Sequence, residues 1–162
     1  MIVLMGAAGA GKTTVGRALA DAIRWRFVEG DDFHPPKNVA KMHAGVALTD
    51  EERAPWLEAI HSVMARAIER RENTIVACSA LKRDYRDTLR HGLRTVRFVY
   101  LRAAESELRH RLATRKGHFV GPSLLSTQLS TLEEPTPDEA TTVEATWPPE
   151  RVVKAIRREF GV

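Results

Sequence analysis

The segment GAAGAGKT at residues 6–13 constrains this chain more than any other part of it. It directly follows the apolar run IVLM at residues 2–5, which has the length and composition of a buried strand. The segment satisfies the pattern G-x-x-x-x-G-K-[ST] in the order of strand, loop and helix that this phosphate-binding motif requires. Gly6, Gly9 and Gly11 let the loop turn so tightly that successive N–H groups point at phosphate oxygens beside the positive end of a helix. We therefore predict a site for a nucleoside triphosphate.

Two side chains of the motif have specific tasks in such a site. Lys12 would reach the β- and γ-phosphates, and the Thr13 hydroxyl would ligate magnesium. A glycine-rich turn that only leads into a helix would not need this Lys-Thr pair. The predicted nucleotide contacts are Gly6, Gly9, Ala10, Gly11, Lys12, Thr13 and Thr14.

Strand-like and helical patterns alternate along the rest of the chain. The strand-like segments are residues 2–5, 25–28, 74–78, 96–101 and 142–146. The helical patterns are residues 12–24, 50–71, 81–91, 104–115 and 149–159. This alternation predicts an α/β fold in three layers, a five-stranded parallel sheet with helices on both faces. Ligands bind such sheets at the carboxyl ends of the strands.

Composition limits the remaining classes of protein. A chain of 162 residues fits one domain, and no apolar run approaches the ~20 residues that a membrane-spanning helix needs. The formal net charge is +4, but the basic residues are interspersed with 21 acids, so we do not expect nucleic-acid binding. The N-terminal sequence shows no basic leader and there is one cysteine, which predicts a cytoplasmic location. That cysteine, Cys78, is expected to be a small buried apolar residue.

The stretch EGDDFHP at residues 29–35 places three acids and a histidine after the second predicted strand. Gly, Asp and Pro also make ordinary turns and caps, so the stretch alone does not decide its role. Phosphoryl transfer, however, needs a carboxylate that takes the proton of an acceptor hydroxyl. Beside the phosphate motif, the stretch therefore predicts the acceptor site of a small-molecule phosphotransferase.

Five segments of the sequence are informative together: GAAGAGKTTVG at 6–16, EGDDFHPPKNVAKMHAGVALTDEERAPWL at 29–57, CSALKRDYRDTLR at 78–90, FVYL at 98–101 and RKGHFVGPSLLSTQLSTLEEP at 115–135. In this order they resemble the gluconate kinases, the small P-loop sugar-acid kinases related to shikimate kinase. The resemblance implies a P-loop kinase fold with a substrate-binding region at about 29–90 and a mobile lid at about 111–132. It also implies ATP and Mg²⁺ as cofactors, D-gluconate as the acceptor and a homodimer.

The resemblance implies roles for the acidic stretch. Asp31 corresponds to the carboxylate that accepts the hydroxyl proton, and Glu29 to an acid that meets magnesium through water. His34 would hydrogen-bond hydroxyls of the polyol. Asp32 is expected to be only an N-terminal helix cap, with Pro35 starting the following helix.

A sugar acid also carries a carboxylate, which a planar guanidinium can bind with two hydrogen bonds. Arg53 and Arg86 are the candidates. For Arg53 the spacing alone favours a surface pair with a neighbouring acid, and the role in substrate binding is implied only by the resemblance of DEERAPWL to the family pattern DxDRxPWL. Lys82 and Arg86 are four positions apart and so share a helix face, which is predicted to open on the same crevice. Ser79 offers a hydroxyl in the preceding loop.

The lid of the resembling family corresponds to the basic segment after residue 110. Arg111 and Arg115 would close over the phosphates and act catalytically with Lys12 and Asp31. The alternative is that they only lie at the C-terminus of a helix, where positive charges are favourable. His118 and Gln128 would contact the substrate. Trp147 follows the last strand, where related kinases hold adenine.

Two alternatives remain open from the sequence. One is the same chemistry on shikimate or another sugar acid. The other is a nucleotide-dependent binding or regulatory protein that uses the phosphate loop as a switch, for example on nucleic acid. The acceptor-side residues Asp31, His34, Lys82 and Arg86 have no purpose in such a switch.

Overall fold

The computed structural model describes residues 1–114 and 122–162. Five strands form one sheet, and they are β1 (Ile2–Met5), β2 (Arg26–Glu29), β3 (Thr74–Ala77), β4 (Arg97–Arg102) and β5 (Ala140–Glu144). The helices are α1 (Lys12–Ile23), α2 (Pro36–His43), α3 (Asp50–Glu69), α4 (Arg83–Arg90), α5 (Glu105–Thr114), α6 (Pro122–Thr131) and α7 (Pro149–Phe160). A 3₁₀ turn, Gly30–Phe33, follows β2 directly.

The strands lie in the order β2-β3-β1-β4-β5, and every neighbouring pair is parallel. From β1 the chain crosses to the edge strand β2 and returns to β3 beside β1, and it then continues to β4 and β5 on the opposite side of β1. β1 is therefore at the topological switch point. The predicted five-stranded parallel sheet is therefore confirmed. The carboxyl ends of β1, β2 and β3 lie at one edge of the sheet, where the site is built.

Alternating side chains of the strands divide the core into two layers. Ile2 and Leu4 face the cluster that contains α1 and α7, whereas Val3 and Met5 face the cluster that contains α3 and α4. A short central strand thus contributes to both layers because successive residues point to opposite faces. Helices on both faces complete the three layers that the sequence predicts.

Helix α3 shows how the sequence fixes an element beside the site. Its buried side chains Trp56, Ile60, Met64 and Ala67 recur at a helical spacing and face the sheet. Its start is a capping box, in which the Thr49 hydroxyl accepts from the Glu52 N–H and the Glu52 carboxylate accepts from the Thr49 N–H. This cap fixes where the helix begins, and hence which residues face the site.

Two expectations about the ends of elements need correction. Asp32 is not a helix cap: it lies inside the 3₁₀ turn, and Pro35 is the residue that precedes α2. The chain takes this course because the double proline permits a new helix only from Pro36 onward.

Cys78 is buried, as expected, and burial raises the pKa of its thiol to about 12. None of the described helices has the length and apolar character that crossing a membrane requires.

The capping box gives a direct test of this local account. Thr49→Ala removes the side-chain acceptor and is expected to lower the free energy of unfolding by about 1 kcal/mol. Thr49→Ser keeps the acceptor and serves as the matched control, with a loss of only a few tenths of that amount. Urea unfolding of the three proteins measures the difference. Equal stabilities of the alanine and serine variants would contradict the cap.

Candidate active site

The phosphate loop between β1 and α1 has the backbone that its glycines permit. Gly6, Gly9 and Gly11 all have positive φ angles, of 138°, 85° and 89°. At Gly6 a Cβ atom would also lie 2.8 Å from the carbonyl oxygen of Leu101, so this position excludes any side chain. The loop therefore turns tightly against β4 before α1 begins at Lys12.

Lys12 and Thr13 lie where the motif predicts functional groups. The Lys12 ammonium donates to the carbonyl oxygens of Gly6 and Ala7, at 2.9 and 3.0 Å. The Thr13 hydroxyl donates to the Glu29 carboxylate at 2.7 Å. This second hydrogen bond joins the start of α1 to the end of β2, and so links the phosphate loop to the acidic stretch.

The Thr13–Glu29 pair has donor atoms that suit magnesium. Mg²⁺ prefers oxygen ligands and is often held by one or two protein groups together with substrate phosphates. Burial raises the pKa of the Glu29 carboxyl and the nearby Asp31 carboxylate adds to this, whereas the Thr13 hydrogen bond and Lys12 oppose it. Within the described residues, no group of three or more His, Cys, Asp and Glu side chains could hold a metal ion by itself. The pair fits a metal that is shared with phosphates.

The acidic stretch at residues 29–35, called the acceptor stretch from here on, is held in place by the buried Trp56. The Trp56 indole N–H donates to the Gly30 carbonyl at 2.7 Å, and the His34 ring stacks on the indole with centroids 4.2 Å apart. Gly30 lies so close to β3 that a Cβ atom would be 2.4 Å from the Ala77 carbonyl oxygen. Asp31, between these two anchors, is thus held at the edge of the sheet.

His34 is a neutral imidazole at neutral pH. Burial lowers the pKa of His34 to about 4; the Arg53 guanidinium contributes in the same direction, and the Asp31 carboxylate opposes it. Its Nδ1 atom is buried and has no hydrogen-bond partner among the described residues. A neutral ring with an unused nitrogen can exchange a hydrogen bond with a hydroxyl group.

One cavity contains residues of both the phosphate loop and the acceptor stretch. Its remaining walls include the apolar side chains Met42, Leu48 and Leu124. The residues predicted from the sequence that line this cavity are Gly9, Gly11, Lys12, Thr13, Glu29, Asp31, His34, Arg53, Ser79 and Gln128. Five parts of the chain, residues 8–13, 29–34, 42–53, 79 and 124–131, therefore meet in one crevice at the carboxyl ends of the strands.

Lys82 lies beside this cavity rather than in its lining. Its ammonium pairs with the Asp50 carboxylate at 2.5 Å, and Asp50 also accepts a hydrogen bond from the Tyr85 hydroxyl. The guanidinium carbon of Arg53 lies 6.0 Å from the centroid of the Tyr85 ring, and Arg53 itself lines the cavity. Asp50 thus holds the Lys82 ammonium and the Tyr85 hydroxyl together beside the cavity.

The expectation that Arg86 faces the crevice is wrong. Arg86 is only 1% exposed, and its guanidinium lies 3.4 Å from both oxygens of the buried Glu139 carboxylate. It also donates to the carbonyl oxygens of Ala80, Leu81 and Glu133. Lys82 precedes the first residue of α4, so the two side chains do not share a helix face. The side of α4 that carries Arg86 is closed by the segment before β5, which supplies the opposite charge. Arg86 is a buried structural side chain and is not available as a ligand for a substrate.

Arg111 lies between the phosphate loop and the segment after β5. Its guanidinium donates to Glu107 at 2.7 Å, to the Ala145 carbonyl at 2.8 Å and to the Gly9 carbonyl at 3.4 Å. Trp147 is half-buried close by, with the Arg151 guanidinium 4.1 Å from its ring centroid. The structure thus brings Arg111 to the predicted nucleotide end.

Other predicted residues have different positions. The Gln128 side chain accepts from the Ala8 N–H at 2.7 Å, which ties α6 to the phosphate loop. Ala10 is buried and its N–H donates to the Ala7 carbonyl, while Thr14 is exposed on α1. Arg115 and His118 lie outside the described residues.

Sequence reasoning missed four residues that organise the site, namely Asp50, Trp56, Tyr85 and Glu139. Trp56 lies within the helical pattern predicted for residues 50–71, which does not indicate its contact with Gly30. The others contact residues between 32 and 56 positions away along the chain, for which the sequence has no local signal.

The comparisons with known proteins agree with this geometry. The sequence matches the AAA domain family over residues 1–135. It is 46% identical over 138 residues to a gluconokinase of Gluconobacter oxydans (strain 621H), an alignment that covers 85% of this chain and 78% of that protein. This chain belongs to the gluconokinase family. The resemblance noted in its sequence is confirmed.

Solved structures extend the match to the gluconokinase fold. A gluconokinase from Sinorhizobium meliloti 1021 superposes with a TM-score of 0.84 at 46% identity, covering 94% of this chain and 86% of that one. An unliganded sugar kinase from Janibacter sp. HTCC2649 superposes with a TM-score of 0.93 at 40% identity, covering 99% and 94%. As a P-loop kinase of the gluconokinase family, the chain uses a nucleotide.

The neutral state of His34 predicts a specific pH dependence of stability. Since the folded pKa of about 4 is below the ordinary value of about 6.5, the unfolded chain binds more protons between these pH values. The stability that the folded state has with a neutral His34 is fully present above pH 6.5 and is lost as the pH falls toward 4. His34→Phe keeps a ring against Trp56 and removes the titration, so its stability should fall less steeply over this range. Urea unfolding at several pH values measures both slopes, and equal slopes would contradict the assignment.

Proposed function

We propose that this protein transfers the γ-phosphoryl group of ATP to the 6-hydroxyl of D-gluconate, giving 6-phospho-D-gluconate and ADP. The observation that carries the proposal is the single cavity shared by the phosphate loop and the acceptor stretch, in a chain of the gluconokinase family. In the reaction the hydroxyl oxygen forms a bond to the γ-phosphorus, and the bond from that phosphorus to the bridging oxygen breaks. The hydroxyl proton passes to Asp31.

Residues of the phosphate loop bind and neutralise the triphosphate. Lys12 supplies positive charge to the β- and γ-phosphate oxygens, and the backbone N–H groups of Gly9 and of residues 11–14 surround them. Thr13 would hold Mg²⁺ through its hydroxyl and Glu29 would hold it through water, which fits their 2.7 Å contact. At this position the metal would supply positive charge that offsets the charge developing on the phosphate oxygens.

Residues of the acceptor stretch orient the sugar acid. Asp31 takes the proton, and the neutral His34 hydrogen-bonds a hydroxyl group of the chain. Among the described residues that line the cavity, the cations are Lys12 and Arg53, so Arg53 is the group that binds the substrate carboxylate. Ser79 adds a hydroxyl, and Lys82 adds positive charge from beside the cavity.

The remaining roles rest on the resemblance to the family. Arg111 and Arg115 stabilise the transferring phosphoryl group, and Trp147 contacts the nucleotide base. His118 and Gln128 contact the substrate. The mobile lid, the homodimer, the cytoplasmic location and the absence of nucleic-acid binding stay predictions.

The acceptor decides between this function and its nearest alternative, a kinase of shikimate or another sugar acid. A coupled assay with ATP, magnesium and D-gluconate reports 6-phosphogluconate through its dehydrogenase, and ADP release reports the other acceptors. We expect rapid turnover on D-gluconate and little on shikimate. Turnover on another acceptor with none on D-gluconate would contradict the proposal, as would salt-dependent nucleic-acid binding without any phosphorylated product.

Asp31 and its neighbour Asp32 give a matched test of the proton acceptor. Asp31→Asn is expected to keep ATP affinity and to lower kcat about 10²–10⁴-fold, because the amide cannot take the proton. Asp32→Asn changes an exposed carboxylate that does not line the cavity and should leave kcat nearly unchanged. Steady-state kinetics and nucleotide titration measure both. Near-normal kcat in Asp31→Asn would remove Asp31 from the mechanism.

A further inference from the structure

We propose that the buried Arg86–Glu139 pair positions the acceptor side of the site by holding residues 79–81, here called the acceptor turn, in place. Arg86 and Glu139 are then positioning residues that act through this turn without touching the substrate. The effect on the acceptor rests on the proposed function, since it is measured with D-gluconate.

The acceptor turn connects β3 to α4 and lies against both halves of the site. The Ser79 side chain lines the cavity, and the Ser79 carbonyl accepts the N–H of Gly6, the first residue of the phosphate loop, at 3.1 Å. Ala80 is fully buried and has a φ angle of 45°, a left-handed conformation that disfavours a residue with a Cβ atom. Such a conformation persists only where surrounding contacts impose it.

Arg86 supplies those contacts. Its Nη1 donates to the carbonyl oxygens of Ala80 and Leu81, at 3.3 and 3.2 Å, and to that of Glu133 at 3.0 Å. One planar guanidinium thus binds two successive carbonyl groups of the turn. A lysine ammonium lacks the rigid fork of donors and cannot reproduce this arrangement together with an ion pair.

Glu139 fixes the guanidinium from the other side. Its carboxylate accepts from the Nε of Arg83 at 3.1 Å and from the backbone N–H and hydroxyl of Thr136, at 3.1 and 3.2 Å. A hydrogen bond from Arg83, the Thr136 N–H and the charge of Arg86 hold the pKa of Glu139 at about 2 despite its burial. Glu139 is therefore charged at neutral pH, as the buried Arg86 requires.

The same turn is tied to the segment that follows α6. The Glu133 N–H donates to the Leu81 carbonyl at 2.9 Å, and the Glu133 carboxylate accepts the Arg83 N–H at 2.7 Å. The turn is thus held by the phosphate loop, by α4 and by the chain after α6. Loss of the guanidinium fork would release Ala80 from its left-handed conformation and move the Ser79 side chain in the cavity.

The chain offers a matched pair of variants, because Arg83, Arg86 and Arg90 all form ion pairs with Glu139 and, of these three, the side chain of Arg86 donates to the turn. Arg86→Lys keeps a positive charge beside Glu139 and loses the fork. Arg83→Lys makes the same chemical change at a residue whose side chain does not bond to the turn. We expect Arg86→Lys to raise the KM for D-gluconate about tenfold or more with little change in ATP affinity, and Arg83→Lys to leave that KM within about twofold.

A purely structural ion pair predicts a different result. Both variants would then lower the melting temperature, and neither would change KM; this outcome, or an equal rise of KM in both, overturns the proposal. If Arg86→Lys does not fold, Glu139→Gln tests the same pair, because it keeps the shape and removes the charge. A folded Glu139→Gln variant with unchanged KM also overturns the proposal.

A readout without turnover separates this proposal from the proposed function. The amide NMR signals of Ser79, Ala80 and Leu81 should shift in Arg86→Lys and stay in place in Arg83→Lys. If the wild-type protein turned over no D-gluconate, the proposed function would fail while this comparison still decided the positioning role. Unchanged signals in Arg86→Lys would refute it.

Discussion

The parallel register of β2, β3 and β1 is the constraint on which the site depends. Leu4 and Glu29 are each paired with Ala77, so the three strands end at one level. The phosphate loop, the acceptor stretch and the acceptor turn begin there, one strand apart, and must share a crevice. Their contacts follow from this closeness, including the hydrogen bond from Gly6 to Ser79 and the absence of room for a side chain at Gly30.

Charge within that crevice is arranged by pairing as much as by burial. Burial and the Asp31 carboxylate raise the pKa of Glu29, and the hydrogen bond from Thr13 lowers it. Burial lowers the pKa of His34 and keeps its ring neutral. Asp50 holds Lys82 at the acceptor end, and Glu107 holds Arg111 at the nucleotide end. Triphosphate and sugar acid are both anions, so a kinase of this class needs its cations fixed before the substrates meet. A regulatory switch that binds only a nucleotide would have no use for the acceptor-end group.

The sequence predicted those parts of the site that depend on local patterns. The phosphate loop has its own motif, and the acidic stretch follows an apolar strand whose end must lie at the ligand-binding edge of a parallel sheet. The helical pattern predicted for residues 50–71 also includes Trp56, although it does not predict the hydrogen bond from Trp56 to Gly30.

Long-range pairing could not be predicted in the same way. The spacing of Lys82 and Arg86 indicated a shared face but not what covers it, and Glu139 lies 53 positions beyond Arg86 among residues typical of a surface loop. The cap assigned to Asp32 was wrong for a related reason, because the 3₁₀ turn forms where Trp56 and β3 hold Gly30. In both cases a tertiary contact decides what a local pattern leaves open.

The position of the phosphate in the product tests the central claim most directly, namely that the phosphate loop and the acceptor stretch form one transfer site. Two-dimensional ¹H–³¹P NMR of the products from ATP and D-gluconate assigns the phosphorylated carbon. The account predicts one phosphomonoester, on the terminal carbon C6, formed in equal amount to ADP. A phosphate on another carbon, or ADP formed equally without D-gluconate, would contradict it.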